Sequence, residues 1–194
     1  VEDAVAQCVA RGVGGIVLYA SGYGETRRPD LIEQQDRLLR LVEGTQTRLI
    51  GPNCLGINNY AIGARIMFGR MPAPRPLRQG AIGIVTQSGS VGMSLAQAME
   101  RGVPVSHSIP VGADLIAYLA EDEHCQAIVA VFEGVEDPRL LVAAAERAAA
   151  ADKPLLVHKM AVGEQGAAAA LSHTGALAGS NASYRAVLDR AGAV

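Results

Sequence analysis

Short apolar runs that end in polar or glycine residues alternate along this chain with amphipathic helical stretches, and that alternation confines it to an α/β fold built on a parallel sheet. The pattern predicts helix over 2–11, strand over 14–20, helix over 29–43 and strand over 47–51, followed by an irregular stretch from Gly56 to Gly80. It then predicts strand 81–86, helix 89–101, strand 103–108, helix 113–121, strand 127–132, helix 137–151, strand 154–159, a loop, and helix 180–191. In an open parallel sheet the strand C-terminal ends share one edge, and ligands bind there. The turn Thr86–Gly92, the carboxylate of Glu133 and the loop carrying His173 all follow such strand ends, so they are expected to converge.

The run Met71-Pro-Ala-Pro-Arg-Pro76 cannot continue a helix or a central strand, because proline lacks the amide donor. It marks the expected junction between a first part, 1–72, and a second, 73–194. The first part holds only two predicted strands and reads as the back half of a doubly wound domain. The chain starts without methionine inside a helical pattern and stops just after another, so it reads as a piece of a longer protein.

A net charge of −2 with dispersed charges gives no footprint for nucleic acid. The three cysteines, Cys8, Cys54 and Cys125, are odd in number and widely spaced, which fits neither a disulfide framework nor a CxxC metal site and suits a reducing cytoplasm. No apolar stretch approaches the roughly 20 residues of a membrane span, and the first ten residues lack a basic signal region.

Chemistry concentrates in four segments. In Thr86-Gln-Ser-Gly-Ser-Val-Gly92 a strand turns into a helix through small residues. The amides of that helix start can hold an anion, with Ser88, Gly89 and Ser90 around it; an ordinary serine N-cap is the plainer alternative. In Ser172-His-Thr-Gly-Ala-Leu-Ala-Gly179 a histidine stands among small residues that leave room for an incoming group. A neutral imidazole attacks phosphorus if a carboxylate holds its other proton, and Glu133 at a neighbouring strand end is the candidate. In Gly51-Pro-Asn-Cys-Leu-Gly56, Asn53 offers hydrogen bonds to an amide or carboxylate, whereas Cys54 has no basic neighbour to activate it and suits a buried role. His107, His124 and His158 have no metal-ligand spacing and read as structural or surface residues; Lys159 either faces the phosphate site or is solvated.

These four segments in this order, Gly51–Gly56, Thr86–Gly92, Phe132-Glu133-Gly134 and Ser172–Gly179, resemble the NDP-forming acyl-CoA synthetases, relatives of the succinyl-CoA synthetase α subunit. The resemblance implies that residues 1–72 are the C-terminal half of a Rossmann-like CoA-binding domain and that 73–194 form a flavodoxin-like CoA-ligase domain. It implies that His173 is transiently phosphorylated, that Glu133 orients it, and that Ser88, Gly89, Ser90, Thr174 and Gly175 surround the phosphoryl group. Asn53 and Cys54 would lie by the CoA thiol and acyl end. The implied reaction interconverts carboxylic acid, CoA and ATP with acyl-CoA, ADP and phosphate. ATP and magnesium would come through an ATP-grasp domain or β-type subunit that this chain lacks, so a homo- or hetero-oligomer is expected. The glycine-rich first turn of the Rossmann domain is also missing, and the stretch Ser108–Asp114 is shorter than the family pattern. Two other functions stay open: a CoA-sensing regulatory module of an acyltransferase-type fusion that no longer ligates, and a non-catalytic flavodoxin-like scaffold. The acyl substrate is not legible.

Overall fold

The computed structural model describes residues 1–73, 76–77, 80–110, 112, 114–134, 137–161, 163, 185–186 and 188–189. Contacts divide the chain into two compact units, Val1–Gly56 and Ile57–Val194. Residues 57–72, grouped by sequence with the first part, therefore pack with the second. The expected junction at 72/73 therefore falls inside the second unit, between two of its strands.

The first unit contains α1 (Glu2–Ala10), β1 (Gly15–Val17), a 3-10 turn (Gly24–Thr26), α2 (Pro29–Val42) and β2 (Arg48–Ile50). β1 and β2 pair in parallel, Ile16 opposite Leu49. Pro29 opens α2 with a backbone angle already suited to a helix, and Asp30 in the first turn favours the positive end of the helix dipole. The apolar stripes of both helices meet the strands around Val5, Tyr23 and Leu38, with Val9, Ile16, Leu18 and Leu49 packed against them. Full burial of a side chain such as Leu38 is worth about 1.5–3 kcal/mol.

The second unit is a six-stranded sheet in the order β4-β3-β6-β5-β7-β8, with β3 (Gly56–Asn59), β4 (Ala64–Met67), β5 (Ile82–Thr86), β6 (Val105–Ile109), β7 (Ala127–Phe132) and β8 (Leu155–Lys159). Strands β6, β5, β7 and β8 are mutually parallel, and β3 runs antiparallel to β6. The stretch expected to be irregular thus contains two strands. Their connection is a turn in which the Asn59 carboxamide oxygen accepts from the amides of Ala61 (2.9 Å) and Ile62 (3.2 Å), with Gly63 at positive φ closing it.

Helices α3 (Gly89–Ala96), α4 (Asp114–Glu121) and α5 (Pro138–Ala150) cover the sheet. The helix expected over 89–101 is α-helical only to Ala96 and continues as a 3-10 turn over Gln97–Arg101. Alternation along β5 sends Ile84 to one core with Ala96 and Met99, and Val85 to the other with Ile116, Leu119 and Leu141. Gly83 lets α4 sit close: a Cβ there would lie 2.7 Å from Leu119 Cδ1 and 2.8 Å from Cys125 Sγ. Of the helix expected over 180–191, the described residues 185–186 and 188–189 are helical.

His107 on β6 is 1% exposed and stands edge-on to the Tyr118 ring at 5.9 Å. Its Nε2 is 3.8 Å from Asp122 Oδ2, beyond hydrogen-bond reach. Burial pushes the imidazole below its ordinary pKa, with Asp122 opposing and His124 adding to the shift. The folded chain binds this proton less readily than the unfolded one, so stability is fully present above about pH 6.5 and falls as the pH drops through that value. Urea unfolding compared at about pH 7.5 and about pH 5.5 is expected to show this decline, and His107→Phe to flatten it. Parallel pH profiles for the two proteins would assign the decline to other groups.

Candidate active site

The chain leaves β5 through α3 to reach β6 on one side, and α4 then carries it to β7 on the other side of β5. Strand order therefore reverses beside β5, and the C-terminal ends of β5 and β7 flank a topological switch point, where doubly wound sheets bind ligands. Those two ends are Thr86, leading into the Ser88–Ser90 turn, and Phe132, leading into Glu133.

Ser88 caps α3 in extended conformation. Its hydroxyl accepts from the Val91 amide at 3.5 Å and lies 3.1 Å from the Ser90 hydroxyl, while Thr86 Oγ1 donates to the Ser88 carbonyl at 2.5 Å. The first turn of α3 carries no acidic residue of its own to offset the positive end of the helix dipole. Gly92 allows the helix to press onto the strand ends, since a Cβ there would lie 3.1 Å from Thr86 Oγ1 and 3.6 Å from Ser108 Oγ. The capping role and the anion-binding role are compatible: one serine oxygen satisfies one amide of the first turn and leaves the others to a ligand.

Gln87, to which the sequence reading gave no role, ties the two strand ends together. Its backbone amide donates to the Val131 carbonyl at 3.1 Å. Its side-chain oxygen accepts from the amides of Glu133 at 2.7 Å and Gly134 at 3.1 Å, and its side-chain nitrogen donates to the Gly134 carbonyl. The only sequence signal for it is a long carboxamide one residue past the end of a buried strand.

Lys159 is paired in register with Phe132, the residue before Glu133, at the same sheet edge. Burial lowers its pKa, and its ammonium donates to the Met160 carbonyl at 3.3 Å. His158 and His124 are exposed and His107 is interior, in line with structural or surface roles. His173, Thr174 and Gly175 lie outside the described residues.

In the first unit the loop after β2 folds back along β1. The Asn53 amide donates to the Ala20 carbonyl at 2.8 Å and the Cys54 amide to the Leu18 carbonyl at 3.4 Å. Gly51 has φ 102° and Asn53 φ 56°, and the peptide between Gly51 and Pro52 is cis. The Asn53 side chain is exposed, whereas Cys54 is buried and its sulfur accepts from the Gly56 amide at 3.4 Å. Burial raises the Cys54 pKa, against the effect of that amide, so the thiol stays protonated near neutrality.

Residues 79–194 match the succinyl-CoA ligase-like flavodoxin domain, and the chain belongs to that family. Among curated relatives, it is 31% identical to the α subunit of acetate–CoA ligase [ADP-forming] II from Pyrococcus furiosus, over 99% of this chain and 42% of that protein. It is 34% identical to acetate–CoA ligase [ADP-forming] I from Archaeoglobus fulgidus, over 100% of this chain and 29% of that protein. Among solved structures it superposes with a TM-score of 0.82 and 28% identity on Ca. Korarchaeum cryptofilum dinucleotide forming acetyl-coenzyme A synthetase 1 in complex with phosphate and ADP, covering 99% of this chain and 42% of that one. The chain thus spans less than half the length of these relatives. Its homologues are ADP-forming acyl-CoA ligases, and no helix among the described residues is long and apolar enough to cross a membrane.

Proposed function

We propose that this chain is the phosphohistidine-bearing portion of an NDP-forming acyl-CoA synthetase. The observation that carries the reading is the tie between the Ser88–Ser90 helix start and Glu133 across the switch point. A helix start able to hold an anion, tied to the backbone that bears a carboxylate, suits a histidine that accepts a phosphoryl group and is steered while it does so. In the first step His173 attacks the γ-phosphorus of ATP, a nitrogen–phosphorus bond forms and ADP leaves, with Glu133 holding the proton on the other ring nitrogen. The carboxylate substrate then attacks that phosphorus, freeing His173 and giving an acyl phosphate. The CoA thiol finally attacks the acyl carbon and phosphate departs.

Residues 1–56 belong in this reading to a CoA-binding Rossmann-like domain, with the exposed Asn53 side chain at the acyl end of CoA. The Gly51–Cys54 loop suits a side-chain contact, since the Asn53 and Cys54 amides are spent on Ala20 and Leu18 and the Asn53 side chain is left outward. In this reading magnesium and nucleotide come through an ATP-grasp domain or β-type subunit. The reading implies a cytoplasmic enzyme assembled as a homo- or hetero-oligomer. The test is to incubate the complete protein with γ-labelled ATP and magnesium. Acid-labile, base-stable label that a carboxylic acid plus CoA discharges is the expected result. Absence of label with an intact ATP site would favour a CoA-sensing module instead.

A further inference from the structure

The candidate carboxylate stands one residue beyond the end of β7. There its neighbour β5 has already turned away into α3: the ladder stops at Thr86 opposite Val131, with one more bond from the Gln87 amide to the Val131 carbonyl. Past such a point the backbone loses its strand partner, and its amides must find another. The Gln87 side chain takes the place of the missing strand. Its oxygen accepts from both the Glu133 and Gly134 amides and its nitrogen donates to the Gly134 carbonyl. A carboxamide is the side chain that offers an acceptor and a donor together, as a peptide does.

We infer that Gln87 is a positioning residue for Glu133, fixing the backbone from which the carboxylate springs relative to the first turn of α3. The inference rests on the phosphohistidine reading of Glu133 and His173. Gln87 touches no reacting atom in this arrangement; it acts through the carboxylate, and a displacement of about 1 Å in such a group can cost roughly 100-fold in rate.

The test uses the complete enzyme, with the single-turnover rate of labelling from γ-labelled ATP as readout and thermal unfolding and CoA binding measured alongside. Gln87→Leu is expected to slow labelling roughly 10- to 100-fold while CoA affinity stays near wild type. In a Glu133→Gln background the same change should slow it no further, because the two residues act as one unit. Gln87→Glu gives a readout that general loss of structure does not. Its carboxylate cannot donate to the Gly134 carbonyl at neutral pH, but the protonated form can, so its rate relative to wild type should recover as the pH falls towards about 5. That recovery decides the matter if the leucine variant does not fold. A wild-type rate in Gln87→Leu, losses that multiply with Glu133→Gln, or a Gln87→Glu defect independent of pH overturns the inference. Label persisting in His173→Asn would sink the phosphohistidine reading itself, whereas label lost there but formed at full rate in Gln87→Leu would sink only the positioning role.

Discussion

Asparagine in place of His173 is expected to bring labelling from ATP to background and to lower acyl-CoA formation by the complete enzyme on the order of 10⁴-fold or more. Asparagine keeps hydrogen-bonding capacity and modest size but has no lone pair able to bond phosphorus at neutral pH, so the covalent step has no substitute within the chain. Glu133→Gln should be milder, roughly 10²- to 10⁴-fold, because the amide occupies the same space but no longer stabilises the ring proton. The order of severity carries the assignment. If His173→Asn retained turnover while Glu133→Gln lost it, the carboxylate would have to act on substrate directly and the nucleophile would lie elsewhere.

Gly51→Ala is the second substitution with a large expected effect. A Cβ at this position would lie 2.4 Å from the Leu18 carbonyl oxygen, a backbone atom that cannot swing aside, and φ is 102°, a region that L side chains rarely adopt. Strain and overpacking together are expected to cost about 2–5 kcal/mol, enough to open the turn that carries Asn53. Faster amide exchange at Asn53 and Cys54, whose donors bond to Ala20 and Leu18, should report it, together with weaker CoA binding by the complete enzyme. Unchanged exchange at both amides would show that the loop has more freedom than its close approach to β1 suggests.

Sequence legibility follows from what each element buries. β5 and β7 are continuous apolar runs buried on both faces, and both stand out in the sequence. β3 does not, because its alternation is inverted: Gly56 and Asn58 face inward while Ile57 is only partly covered. Asn58 is fully buried, and its carboxamide atoms find no hydrogen-bond partner among the described residues, so a reader searching for apolar alternation passes over it. β6 presents the same difficulty, since Ser106, His107 and Ser108 are all interior. It was legible only through its flanking Val105 and Ile109 and through its place in the alternation. At the candidate site, Glu133 and Ser88–Ser90 stand out in the sequence as candidates because strand ends are where ligands collect in this architecture. Gln87 could not, since its role depends on three bonds to residues 46 and 47 positions away. Its one local signal, a carboxamide just past a buried strand, is shared by many solvated loop glutamines.

If the chain acts as proposed, the sealed sulfur of Cys54 bears on fidelity. An acid–thiol ligase must let its activated acyl group meet one sulfur, that of the substrate, and any ionised protein thiol in reach would compete for it and leave a dead-end thioester on the enzyme. A cysteine held protonated by burial is a poor competitor, so under the proposed function Cys54 can share a loop with Asn53 without intercepting the acyl group.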